Sequence, residues 1–173
     1  MNKENLWNDD ETGAEEYISG EFDQIMLTEV QIALGYKLPS SYIELMREHN
    51  GGLLKRNLFV YGDAEKGEFV FVNGMFGIGR EKEYSLCGEM GSKFWIKEWE
   101  YPNRGVAICD CPYGGHEMIF LDYRDCVKLD EPKVVHINQE DDYKITVLAN
   151  SFEEFINGLT TGEELGDDFW DNI

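Results

Sequence analysis

The chain has 173 residues, of which 42% are hydrophobic and 13% aromatic, which suits one globular domain with a single core and excludes a disordered polypeptide. Its 35 acidic against 15 basic residues give a net charge of −20, which disfavours direct contact with nucleic acid or an anionic membrane. Four cysteines (Cys87, Cys109, Cys111 and Cys126) are too few for a disulfide framework, and there is neither a signal-peptide pattern nor a stretch of ~18 apolar residues, so a cytoplasmic setting with reduced thiols is expected.

Residues 1–23 hold eight acids against Lys3 and read as a loosely attached acidic arm. A compact domain is expected over 24–159, followed by an acidic tail over 160–173 in which Phe169 and Trp170 could dock back. Within the domain, Thr28 suits the start of a short helix that carries Val30, Ala33 and Leu34 and leaves at Gly35. Pro39 bars helix at Leu38. Ser41 and Glu44 then have the spacing of a capping box, and Tyr42, Leu45, Met46 and His49 recur at helical intervals up to Asn50-Gly51-Gly52.

The period then changes to that of strands, at 58–61, 68–72, 106–109, 118–122, 134–137 and 145–148. A helical insert is expected within 81–100, with Tyr84, Leu86, Trp95, Ile96 and Trp99 available for burial. Ser151 and Glu154 open a last helix with Phe152, Phe155, Ile156 and Leu159 along one face. The expected fold is α+β: a largely antiparallel sheet of six or so strands, with helices from the two ends of the domain packed on it.

With these elements placed, LGYKLPSSYIELMREHNGG (34–52) resembles the opening motif of the SUKH superfamily, the Smi/Knr type. PNRGVAICD (102–110), Gly114-Gly115 and IFLDY (119–123) resemble its central hairpin, and the stretch from Val134 to Leu159 resembles its closing strand pair and helix. The segments follow family order over about 27–159. The resemblance implies an α+β scaffold. It also implies either an immunity protein that occludes a cognate toxin domain, such as a nuclease, or a non-catalytic adaptor in cell-wall or stress signalling. The long acidic N-terminal arm and acidic tail depart from a lean member of the family.

The remaining constellations point away from chemistry. Cys109, Asp110, Cys111 and His116 lack the C-x₂₋₄-C spacing of structural zinc, so no metal or other cofactor is expected, and Cys109 reads as a small apolar residue at a strand end. Nothing pairs a cysteine with His49, His116 or His136, and a hydrolase built on Cys109 or Asp110 is the least favoured reading. The G-x-G around Gly77 has no phosphate-loop continuation, and Glu140, Asp141 and Asp142 read as a solvated hairpin turn rather than a calcium loop. The expected partner is therefore a basic toxin domain. Carboxylates would steer it and aromatics would hold it, at Trp95, Glu98, Trp99, Glu100, Asp141 and Asp142. The bland alternative is that Trp95 and Trp99 are core and the acidity only maintains solubility.

Overall fold

In the computed structural model, which describes residues 1–126 and 131–166, Asp23 caps the first helix, α1 (Gln24–Leu34), by accepting the Met26 N–H at 2.8 Å. Thr28, expected at that cap, lies a turn inside the helix, where its hydroxyl donates to the Gln24 carbonyl. The apolar face starts earlier than the sequence suggests, because Leu27 and Val30 are the buried pair. The second helix, α2 (Ser40–Glu48), follows Pro39 directly. No capping box forms there: the start has no side-chain cap, and Ser41 Oγ is buried without a hydrogen bond. Tyr42, Leu45 and Met46 line the buried face as their spacing requires.

The strands are β1 (Gly52–Leu53), β2 (Leu58–Val60), β3 (Phe69–Phe71), β4 (Gly74–Met75), β5 (Gly105–Asp110), β6 (Glu117–Asp122), β7 (Lys133–Asn138), β8 (Lys144–Ala149) and β9 (Leu159–Thr160). Their pairings are antiparallel and the fold is α+β, as expected. Membership of the sheets differs from the expectation. The main sheet runs β1-β4-β5-β6-β7-β8, while β2 and β3 leave it to join β9 in a second sheet, β3-β2-β9. The strands that replace them, β1 and β4, have two residues each, too short for alternation to mark them.

The expected insert is mostly turns and contracts to α3 (Ser92–Glu98), which packs on β5. The final helix, α4 (Phe152–Gly158), begins as its sequence indicates: Ser151 Oγ accepts the Glu154 N–H at 3.1 Å, while the Glu154 carboxylate reaches back to the Asn150 N–H at 2.9 Å. Phe152 meets Tyr42 of α2 at 4.8 Å between ring centroids, and Phe155 stacks on Phe59 of β2 at 5.4 Å. This helix therefore joins α2 to both sheets.

Residues 1–23 are not loosely attached. Leu6, Ala14 and Tyr17 are buried, the Asn8 N–H donates to Leu53 O at 2.9 Å, and the Lys55 N–H donates to Leu6 O at 2.8 Å. The Met1 ammonium pairs with Glu153 at 2.8 Å, and Lys3 pairs with Glu48. The acids that suggested looseness stand on the outer side: Glu4, Asp10, Glu11, Glu15 and Glu16 are exposed. At the other end Thr160 belongs to β9 and Glu163–Leu165 form a single 3-10 turn; Phe169 and Trp170, expected to dock, lie outside the described residues. Among the described residues no helix is long and apolar enough to cross a membrane.

Candidate partner-binding cleft

Asp110 closes β5, and its side chain ends at the floor of a cleft with only 8% of its surface exposed. Its Oδ2 accepts from the Tyr17 hydroxyl at 3.0 Å and from Asn73 Nδ2 at 2.9 Å, and its Oδ1 accepts from the Gly74 N–H at 3.2 Å. Every one of these donors is neutral. Burial raises the Asp110 carboxyl to about 6, against the opposing pull of the Asn73 and Tyr17 hydrogen bonds.

Tyr17 reaches this point from the N-terminal segment and stacks on Tyr84 at 4.4 Å and 9°. The packing requires a glycine opposite, since any side chain at Gly74 would collide with the Tyr17 ring. The far wall is built from α3 and the β5–β6 loop. Trp95 is 3% exposed and donates from Nε1 to Met90 O at 2.8 Å, and its indole presses on Gly115, whose φ of 92° and lack of a Cβ permit the contact. Trp99, half-buried, lies 5.4 Å from both Trp95 and the His116 ring.

The cleft encloses about 400 Å³, and a second hollow of about 540 Å³ adjoins it through the shared Tyr17, Asn73 and Tyr84. Together their linings carry Glu11, Glu16 and Asp110, and among the described lining residues there is no Lys, Arg or His. Three carboxylates and a set of aromatic rings make a receptor for a cationic group, by charge-assisted hydrogen bonds and cation–π contact.

Of the residues expected to meet a partner, Trp95 is buried at 3% exposure and stands in the wall of the cleft. Trp99 lines the cleft. Glu98 and Glu100 flank it in solvent, and Asp141 and Asp142 are exposed in the β7–β8 turn. The Tyr143 hydroxyl donates to Trp99 O at 2.7 Å, which draws that turn beside the end of α3 and gathers the expected acids at one end of the molecule. Tyr17, Asn73 and Tyr84 were not anticipated as site residues. The Ala14/Tyr17/Ile18 spacing was the available signal for Tyr17, outweighed by the surrounding charge.

Of the cysteine–histidine pairs weighed from sequence, the described residues bring Cys111 and His136 together, with their ligand atoms within 4.8 Å of each other. Burial pushes the Cys109 and Cys111 thiols well up, the opposite of an activated nucleophile. His49 stacks on Trp7 and faces Asp9 at 2.9 Å, and His116 faces Gln139 at 2.9 Å. Among the described residues, only Cys111 of the dense group Cys109, Asp110, Cys111 and His116 joins a set of potential ligands, and its companions there are Glu117 and His136.

A family model described as the SMI1 / KNR4 family (SUKH-1) matches residues 22–158. The chain belongs to that family. No curated protein matches the chain. The SUKH-1 match divides the cleft: Asn73, Tyr84, Trp99 and Asp110 fall inside it, whereas Glu11, Glu16 and Tyr17 lie before its start. One wall of the site in this SUKH-1 protein is thus supplied by a segment outside the matched fold.

Proposed function

We propose that this protein is an immunity protein that binds a basic toxin domain and neutralises it by occlusion, seating a lysine or arginine side chain of that domain in the Asp110 cleft. The observation that carries the reading is the lining, in which the Asp110 cleft holds that buried carboxylate among several aromatic rings, the adjoining hollow adds Glu11 and Glu16, and neither has a base among its described residues. Family membership supports it, since the SUKH fold implies a binding scaffold. A toxin that acts on nucleic acid needs a basic surface, and a net charge of −20 would draw such a surface in. Association is then fast and steered, and release is slow because the cation is desolvated against Asp110 and the Trp99 ring. No turnover is involved.

The test is calorimetric titration with the toxin-like domain encoded beside this gene, at low and moderate salt, together with an assay of that domain's activity. Binding that weakens with salt and abolishes the activity is expected. Asp110→Asn should raise Kd by about tenfold or more with circular dichroism unchanged, because a partner cation would lose its buried counter-charge. Binding without salt dependence, or full affinity in both Asp110→Asn and Trp99→Ala, would move the contact away from the cleft. The adaptor alternative, in which the acidic arm folds on a host protein, is disfavoured by the packing of residues 1–23 against the domain.

A further inference from the structure

Three side chains that no sequence motif joins meet where three neighbouring strands lie side by side. Cys111 follows β5, Glu117 opens β6 and His136 sits within β7. The register pairs Glu117 with Asn138 and Ile119 with His136, so Glu117 and His136 project from the same face of the sheet. One ligand atom from each of Cys111, Glu117 and His136 lies within 4.8 Å of the other two. His136 Nε2 and Glu117 Oε2 are 3.0 Å apart, and Asn138 Nδ2 donates to Glu117 Oε1 at 3.1 Å, which leaves the other carboxylate oxygen turned to the imidazole. Cys111 and His136 are buried, at 2% and 8% exposure.

We propose that Cys111, Glu117 and His136 form a binding site for a thiophilic divalent cation of the zinc class. Thiolate, imidazole and carboxylate are all zinc ligands, and bonds of about 2.0–2.3 Å around a tetrahedral ion set its donors roughly 3.3–3.8 Å apart. The widest separation here closes by about an ångström and the His136–Glu117 pair opens slightly, adjustments within reach of side-chain rotation. Asn138 supplies the outer hydrogen bond that orients a ligating carboxylate. Three protein ligands leave a fourth position for water or a group from a bound molecule.

The local charge is unbalanced in the way a cation would correct. Burial, then the Asp110 and Glu117 charges, all oppose the Cys111 thiolate, whereas at Cys87 the Arg80 and Lys93 charges favour it. On binding, the Cys111 S–H bond is lost and its proton passes to buffer. The metal–sulfur bond forms, and the imidazole offers its Nε2 lone pair with its proton carried on Nδ1.

The experiment is titration of the chelator-stripped full chain with Co²⁺ and then Zn²⁺. A thiolate-to-cobalt charge-transfer band in the near ultraviolet, saturating at one equivalent and bleached by Zn²⁺, is the expected result. Cys111→Ser and His136→Gln should each weaken Zn²⁺ binding about tenfold or more, and Cys87→Ser should leave it unchanged. Imidazole NMR of the wild-type chain keeps the test independent of how those variants fold: Zn²⁺ should shift the His136 ring signals and leave those of His49 and His116 in place. Absence of the band, stoichiometry carried by His49 or His116, or undiminished affinity in both folded variants would overturn the site.

Discussion

Asp110 and Asp122 close the neighbouring strands β5 and β6, and both are buried, but their surroundings differ in one respect. Asp122 has its cation: the Arg104 guanidinium donates to it, and the Arg124 N–H and side chain approach at 3.1 and 3.7 Å. Burial alone would raise the Asp122 carboxyl, and these hydrogen bonds and charges bring it below its ordinary value instead. A depressed carboxylate contributes stability that is present above its unfolded value of about 3.9 and lost as pH falls through the lower folded value. Arg104→Met strands a buried carboxylate and should cost about 3–5 kcal/mol in urea denaturation at pH 7. Because the stranded carboxyl would then sit above its unfolded value, that variant should lose stability as pH rises above about 4, in addition to the loss that the raised Asp110 carboxyl gives both proteins up to about 6. Asp110, with neutral donors only, already resembles such a stranded group. A cation brought by another molecule would supply the counter-charge that these neutral donors do not.

The helix starts separate signals that look alike in sequence. Ser41 and Ser151 are each followed three residues later by glutamate, but only Ser151 caps: its Oγ receives the Glu154 N–H, whereas Ser41 is a residue inside α2 with its hydroxyl unpaired. Ser151→Ala should therefore cost about 1 kcal/mol by thermal or chemical denaturation. Ser41→Ala should be neutral or slightly stabilising, since it removes a buried polar atom that makes no bond. A comparable loss at Ser41 would restore the capping box there. Pro39 explains the difference, because it occupies the N-cap position two residues before Ser41 and so leaves the serine inside the first turn, where it cannot cap. The sequence made legible what depends on near neighbours: the buried faces of α2 and α4, the six longer strands, and the solvated turn at Glu140, Asp141 and Asp142. It did not reveal β1, β4 and β9, which have no room for a period, nor the transfer of β2 and β3 to a second sheet. The cleft was half visible. Trp99 and the flanking acids stood out by type, but Tyr17, Asn73, Tyr84 and Asp110 come from four distant stretches that only the fold brings together. Glu117 and His136 were hidden beside Cys111 for the same reason.

For the molecule as a whole, the largest change is to the first 23 residues, from an appendage to part of the core. Deleting them removes Leu6, Ala14 and Tyr17 from buried sites and bares their partners. At roughly 1.5–3 kcal/mol for each large side chain, the loss is about 4–6 kcal/mol, a sizeable part of what holds a domain folded. The truncated chain should show a much lower denaturation midpoint, bind a hydrophobic dye, or aggregate; retention of the full-length midpoint would return these residues to the status of an arm. The attachments of that segment also set an order of events on the ribosome. Leu6 and Asn8 bond Lys55 and Leu53, which follow within about fifty residues, whereas Tyr17 waits for Asp110 and Met1 for Glu153, so the segment is seated in stages. At about 5–20 residues per second the stretch between Tyr17 and Asp110 takes roughly 5–20 s to make. The acids around Tyr17 then act as a temporary guard, keeping its apolar surface soluble until β5 emerges to receive it.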